Sequence, residues 1–362
     1  MKPNSFFLVE SYPVETSLIH IGLEQTAPIW TKLIQEATSE IVISQFYVSK
    51  TQNPSSLDPI LKELCDAGHR GVAIKVLIDQ KLSAEYQQTI DQIKQCPNTD
   101  LKTTSAFKGV QHAKYMIFDQ KTLFLGSQNF DDRALTHIQE LGVVLNNKDL
   151  VGQAHDIFYH DWTNAQNPTD LSLPHLQPST INSTSISLKI SPTDSERPQD
   201  SEEYALLSAL NSAQQSIQLQ ALSYATTDYD GAQWLKIQQG LIFALHRGVQ
   251  VQLIISEWSL KEHQLADLYQ LIDKGAQIKW IEFPQHSSGP ILYARVAHAK
   301  YGIVDNRVHW ITTSNLSGDY YTNSRNLSFW WEGSPLEQSL QLQKYFQQNW
   351  NSSYAKMLTK NE

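Results

Sequence analysis

The tetrapeptide His-Ala-Lys-Tyr occurs twice in this chain, and each time four residues separate its lysine from an aspartate. The first copy is His112, Lys114 and Asp119; the second is His298, Lys300 and Asp305. Each is followed by a small polar cluster ending in asparagine: Gly126, Ser127, Gln128, Asn129 and Thr312, Thr313, Ser314, Asn315. A pair of imidazoles suits chemistry on a phosphodiester. One attacks phosphorus and the other protonates the leaving oxygen. Two lysines and two asparagines then hold the phosphate oxygens from opposite sides. No Asp/Glu cluster suggests a metal, and no cofactor is expected.

The repeat is larger than the motif. Ile41 to Val48 reads like Ile217 to Tyr224, each after a helix-like stretch. His69-Arg70-Gly71-Val72 matches His246-Arg247-Gly248-Val249, and each leads into a β-rich run. Phe158 and Trp162 close one half, Phe346 and Trp350 the other. A period this long is a duplicated α/β half rather than a solenoid.

Strand patterns fall at Phe6–Glu10, Ile41–Val48, Ala73–Asp79, Leu101–Thr104, Ala113–Phe118, Thr122–Leu125 and Gly142–Asn146. Helical spacing predicts Ile29–Ala37, Pro59–Ala67, Ala84–Gln95 and Leu150–Trp162. The order repeats from residue 202 onward. Three segments result: a first half over 1–165, a connector rich in Pro, Ser and Thr over 166–200 with one strand at Ser185–Ile190, and a second half over 201–362. The fold class is α/β: two similar mixed-sheet halves packed face to face around an internal pseudo-twofold. Alternating helices and strands predict mostly parallel pairing. Each His-x-Lys is expected on a strand, with histidine and lysine on one face. Asp119 and Asp305 fall near turns, better placed for structural hydrogen bonds than for attack.

The chain has 362 residues, 41% hydrophobic, and a net charge of −9. That charge argues against a broad basic groove for long duplexes but leaves room for a short anion at a local positive site. Cys65 and Cys96 have no metal-ligand spacing and are expected to be free, mostly buried thiols rather than a disulfide. No apolar run is long enough for a transmembrane helix, and no secretory signal is visible. The expected location is cytoplasmic, or outside by a signal-independent route.

The spacing H-x-K-x4-D-x6-G-S-x-N resembles the signature of the phospholipase D superfamily. The first motif matches it fully; the second has Thr312 where the family has glycine and Thr313 in place of serine. Flanking segments are similar to the animal endolysosomal phospholipase-D-like 5′-exonucleases: Leu8 to Pro13, Asp132 to Thr136, Glu140 to Val144, Tyr293 to Val296 and Ser314 to Thr322. The resemblance implies metal-independent cleavage through a phosphohistidine, and single-stranded DNA or RNA as substrate. It also implies that an acidic or amide residue orients the histidine of the opposite half. Glu140 lies 28 residues after His112, and the same offset from His298 reaches Asn326. Glu140 should therefore face His298, and Asn326 should face His112. A carboxylate suits an imidazole that becomes cationic on phosphorylation, so His298 is expected as nucleophile and His112 as acid.

Ser127 supports the first asparagine cluster. Arg295 and Arg133 are phosphate contacts or ordinary ion pairs. Tyr47, Tyr224, Tyr320 and Tyr321 are candidates for stacking on bases, with core packing the competing role. Two other functions compete. One is a phospholipase D or phosphatidyltransferase acting on lipid by the same chemistry. The other is a non-catalytic membrane-associated relative, with Thr312 as a mark of decay. A homodimer is left open.

Overall fold

The computed structural model describes residues 2–18, 22–166, 173, 175–193 and 196–360. Two sheets carry the chain. The first runs, edge to edge, Glu24–Gln25, Ser5–Ser11, Glu140–Asn146, Thr122–Gly126, Tyr115–Phe118, Glu40–Gln45, Ala73–Asp79 and Thr99–Thr104. The second repeats that order with Thr184–Ser191, Asn326–Glu332, Val308–Thr312, Tyr301–Val304, Ser216–Gln220, Gln250–Ser256 and Gln277–Ile281. It adds Ser179–Ile181 and Ala355–Met357 at its edges. The strand within the connector is therefore the second sheet's counterpart of Ser5–Ser11. It pairs antiparallel with Asn326–Glu332 as Ser5–Ser11 pairs with Glu140–Asn146.

Parallel pairing is less extensive than expected. In each sheet it joins the three strands linked through helices, such as Glu40–Gln45, Ala73–Asp79 and Thr99–Thr104, with one short edge pair besides in the first sheet. The motif strands and their neighbours pair antiparallel, because two-strand excursions such as Tyr115–Phe118 to Thr122–Gly126 close with tight turns. Residues 119 and 120, and 305 and 306, take positive φ at those turns.

One face of each sheet looks toward the other. The shared core contains Tyr115, Ile117 and Leu125 of the first half, Tyr301, Ile303 and Phe329 of the second, and the helices Lys148–Thr163 and Glu337–Trp350. Phe6 packs edge-on against Phe329 with ring centroids 5.0 Å apart. Each outer face has its own core under the remaining helices. Burying each such Leu, Ile or Phe side chain contributes about 1.5–3 kcal/mol, so the contact between halves is a main source of stability.

Asp119 and Asp305 do the same structural task in the two halves. Asp119 accepts backbone N–H groups of Thr38, Ser39 and Glu40 at 3.0, 2.7 and 3.1 Å. Asp305 accepts those of Gln214, Gln215 and Ser216, each at 2.8 Å. Burial pushes Asp119 up, but these donors outweigh it and hold the carboxyl at about 2. Both aspartates thus fix the turn between a helix and the first central strand.

Two expectations need correction here. The thiols are not free: Cys65 and Cys96 form a disulfide with Cα atoms 4.4 Å apart. It ties helix Asp58–His69 to the residue pair after helix Gln87–Lys94. Their separation of 31 residues carries no signal of its own; packing of both helices on one sheet face brings them together. By loop entropy such a link contributes about 3–4 kcal/mol. Nor do the His-x-Lys segments lie on strands. Regular strand begins only at Tyr115 and Tyr301. Before it, each segment crosses to the other half: His112 N–H donates to Arg325 O and His298 N–H to Gln139 O, both at 2.9 Å. Among the described residues no helix is long and apolar enough to cross a membrane.

Candidate active site

The crossing segments bring both motifs to one cleft of about 520 Å³ at the junction of the halves, where His112, His298, Asn129 and Asn315 all line the wall. Each imidazole is held from behind by the opposite half. His298 Nδ1 is 2.8 Å from Glu140 Oε2, and His112 Nδ1 is 2.9 Å from Asn326 Oδ1. The Asn326 amide cannot turn over, because its Nδ2 donates to Tyr320 O at 2.8 Å and its Oδ1 also accepts from Thr313 Oγ1 at 2.9 Å. Both rings must therefore donate from Nδ1, which leaves Nε2 as the free nitrogen of each neutral imidazole. His112 is further clamped between the rings of Phe46, at 5.2 Å, and Tyr320, at 4.8 Å.

Behind the histidines, Lys114 and Lys300 are fully buried. Each donates to the backbone carbonyl of its own motif histidine, Lys114 to His112 O and Lys300 to His298 O, both at 2.7 Å. Burial depresses both ammonium groups. Lys300 falls to about 7, with Glu140 opposing the shift, and Lys114 is lowered further by the charge of Lys300. Burial likewise lowers both histidines, assisted by the two lysines, and raises Glu140 against the pull of Lys300. The pocket thus gathers four basic groups around one carboxyl, a setting that favours a bound anion. Below them a polar layer continues the pseudo-twofold: Tyr301 Oη donates to Gln220 Oε1 at 2.8 Å, and Gln220 Nε2 to Gln139 Oε1 at 2.7 Å.

Ser127 braces its loop by exchanging hydrogen bonds with Leu141, its Oγ accepting from Leu141 N–H at 3.0 Å. Tyr47 lines the cleft and donates to Asp131 Oδ2 at 2.7 Å; that carboxylate also holds Arg133 at 2.8 Å. Arg133 is thus a buried ion-pair partner in the cleft wall.

Three proposed substrate contacts are elsewhere. Tyr224 is buried in the outer core of the second half with its hydroxyl on Gln238. Tyr321 stacks on Trp234 at 5.4 Å in the same core. Both fail as base contacts: Tyr224, bridged to Leu316 beyond the end of strand Ser216–Gln220, and Tyr321, in the short helix Gly318–Thr322, turn their rings into that core. Arg295 points away from the reacting groups: its Nε donates to Pro284 O at 2.7 Å and its Nη1 to Val14 O at 2.6 Å. It pins two loops together.

Sequence reasoning passed over the aromatic rim of the cleft: Tyr86, Tyr229, Trp258 and Tyr293. Tyr229 and Tyr293 are strongly exposed, at 87% and 62%. Their placement in polar loops rather than in periodic segments was the available signal. It also passed over Glu202, buried at the start of helix Glu202–Ser212 and bonded to Thr312 and Ser314 of the second motif loop. Burial raises this carboxyl to about 7.

Comparison with known proteins places both halves in one family. The family described as "Cardiolipin synthase, PLD-like domain" matches residues 30–162 and 206–350, one stretch in each half. Phospholipase D Z of Dictyostelium discoideum is 28% identical over 97% of this chain and 90% of its own length. The 5′-3′ exonuclease PLD3 of Xenopus laevis is 28% identical over 97% of this chain and 80% of its own. The virion nicking-joining enzyme of Vaccinia virus (strain Copenhagen) is 28% identical over 94% and 88%. Among solved structures, phosphatidylserine synthase of Haemophilus influenzae superposes with a TM-score of 0.64 at 16% identity, covering 92% of this chain and 85% of that one.

Proposed function

The chain belongs to the phospholipase D-like family and is a phosphodiesterase of that superfamily; from that premise we propose that it is a metal-independent 5′-exonuclease of single-stranded DNA and RNA. The carrying observation is the meeting of two Nδ1-anchored imidazoles in one cleft rimmed by exposed aromatic rings. His298 Nε2 attacks phosphorus in line. The phosphorus–oxygen bond to the leaving group breaks as His112, protonated once the anion is bound, passes its proton to that oxygen. The imidazole of His298 becomes cationic on phosphorylation, and Glu140 stabilises it. Asn326, which is neutral, leaves His112 free to give up its proton. Water then attacks the phosphohistidine with His112 as base. Lys114, Lys300, Asn129 and Asn315 stabilise the charge on the non-bridging oxygens.

The aromatic rim favours nucleic acid over lipid. Rings with polar edges stack on any base, whereas acyl chains call for a continuous aliphatic channel. The exonuclease relative supports the same choice. The disulfide favours a location outside the cytoplasm over the cytoplasmic alternative. Linear single strands, 5′-blocked strands, single-stranded circles and a fluorescent phospholipid, all in EDTA, test the reading together. Linear strands with a free 5′ end should be degraded, while blocked strands and circles resist. Activity lost to EDTA and restored by Mg²⁺ or Zn²⁺ would refute the mechanism. Rapid cutting of circles would refute exonuclease action. Turnover of lipid alone would move the assignment to the phospholipase.

A further inference from the structure

The catalytic cleft does not end at its rim. A second groove of about 810 Å³ shares Glu85, Tyr86, Arg133 and Tyr293 with it and continues toward Thr51, His137 and His286. Tyr86, Arg133 and Tyr293 form a gate. Tyr86 stacks on Tyr47 at 5.2 Å, and Arg133 lies between the rings of Tyr47 and Tyr293, 5.9 and 6.0 Å from their centroids.

Tyr293 is the unusual member of this gate. Its φ is +58, in the left-handed region, and Arg295 two residues on has φ +60. A non-glycine residue resists that conformation, so the surrounding structure must impose it. It does so from both sides. Arg133 Nη1 donates to Leu292 O at 3.3 Å, Arg295 N–H to His137 O at 2.7 Å, and the Arg295 guanidinium to Pro284 O and Val14 O. The result is a tyrosine ring held out at 62% exposure where the two grooves meet. Core packing does not explain such a costly presentation of an apolar surface.

The far groove has buried polar atoms without partners. His137 lines it, is 4% exposed, and has a buried Nδ1 with no hydrogen-bond partner. Beside it stands His286, 5.0 Å away ring to ring. Arg295 Nη2, buried close by, also lacks a partner. Three acidic groups are near: Glu15 is bonded to His286 and Ser287, Glu85 at the rim is exposed, and Asp132 accepts from the backbone N–H groups of Thr51 and Gln52. None is hydrogen-bonded to His137 Nδ1. Arg295 Nη2 is a buried donor left unpaired, which an anionic acceptor in the groove would satisfy.

We propose that this second groove is a nucleotide subsite. The single strand leaves the catalytic cleft between Tyr86 and Tyr293, stacks a base on the Tyr293 ring, and places its neighbouring phosphate against His137 and His286. The inference rests on the nucleic-acid reading above and specifies how many units of the strand are gripped.

The test compares wild-type protein with Tyr293→Ala and His286→Ala on a mononucleotide 4-nitrophenyl phosphodiester and on a tetranucleotide. The ester ends inside the catalytic cleft and the tetranucleotide reaches the groove. Each substitution should lower the ratio of kcat/KM for tetranucleotide over ester about tenfold, chiefly through KM, as loss of a stacked base does. A tetranucleotide with a neutral methylphosphonate one linkage from the scissile bond should lose as much with wild type. It should lose little more with His286→Ala, since both remove one contact. An unchanged ratio in both variants would overturn the subsite and leave the exonuclease assignment standing. Wild-type protein that hydrolyses the ester but no oligonucleotide would overturn both.

Discussion

The two motif loops fill the same space from opposite sides. In the first half Gly126 faces Gly142 across the sheet, and Gln128 reaches from the loop to Thr26 at the start of its helix, at 2.9 Å. In the second half Thr312 faces Ser328, the loop carries the short Ser314, and Glu202 reaches from the start of the helix to Thr312 and Ser314. A long loop residue meeting a short helix residue has been exchanged for the reverse. A Cβ at 126 would collide with Gln128 Oε1 and lie 2.7 Å from Gly142 Cα. Position 312 tolerates a side chain because the bulk comes from Glu202 instead. Thr312, which by sequence is a mark of decay, is thus one part of a compensated rearrangement. The halves also differ in charge: the filler is an amide in one and a titratable carboxyl in the other.

The comparison breaks most severely if the halves work independently. On the proposed mechanism they share one reaction, so His112→Ala and His298→Ala should each lower kcat by at least about 10³-fold. Near-normal turnover by either variant would mean that two separate sites exist.

Importing the second-half residue into the first tests the packing exchange. Gly126→Thr should destabilise the fold by about 1–3 kcal/mol, toward the upper end because backbone as well as Gln128 obstructs it. Adding Gln128→Ser should recover part of the loss in urea denaturation. If the double variant is no better than the single one, Gln128 is not what reserves the position for glycine.

Glu202 sharpens the difference in charge. Its carboxyl is raised by burial to about 7, against an ordinary value of 4.5, so the folded state holds the proton more tightly than the unfolded state. Its stabilising contribution is complete below about pH 4.5 and is lost as pH rises through about 7, by at most about 3 kcal/mol. Glu202→Gln should flatten the fall in melting temperature across that window. An unaltered slope would show that Glu202 does not titrate there.

Thr312→Gly should have the smallest effect. Loss of the two hydrogen bonds of its hydroxyl, to Glu202 and from Ser314 N–H, and added chain entropy predict about 1–2 kcal/mol of destabilisation, with activity within about threefold. A large gain in activity would favour the reading of Thr312 as decay.

The sequence made the repeat readable because duplication writes the same period twice. Strand Ala73–Asp79 has the predicted bounds, and most other elements shift by a few residues at their ends. The pairing sense was not legible. Alternation in Tyr115–Phe118 records burial, not the direction of a neighbour. The disulfide was hidden for a related reason, since the approach of Cys65 to Cys96 depends on two helices settling on one sheet. Within the site, regular spacing exposed the two motifs. Of the rim aromatics, Tyr229 and Tyr293 lie in loops without any period, and Glu202 occupies a first helical turn where an acidic residue ordinarily needs no further explanation. Tyr224 and Tyr321 show the opposite error: one ends a repeated segment and the other follows a motif in sequence, and the fold turns both into its core.

The crossing of the motif segments has a consequence for how the molecule comes into being. His112 takes its backbone acceptor from Arg325 and its ring acceptor from Asn326. A ribosome must therefore add more than 200 further residues after His112 before either partner exists. The first half can form its sheet early, with its histidine unanchored and its cleft lacking a far wall. On the proposed mechanism a growing or prematurely terminated chain is thus mute, and hydrolytic capacity arrives only when the second sheet docks. The dependence is mutual, since His298 waits for nothing but the docking of Glu140, which was made long before.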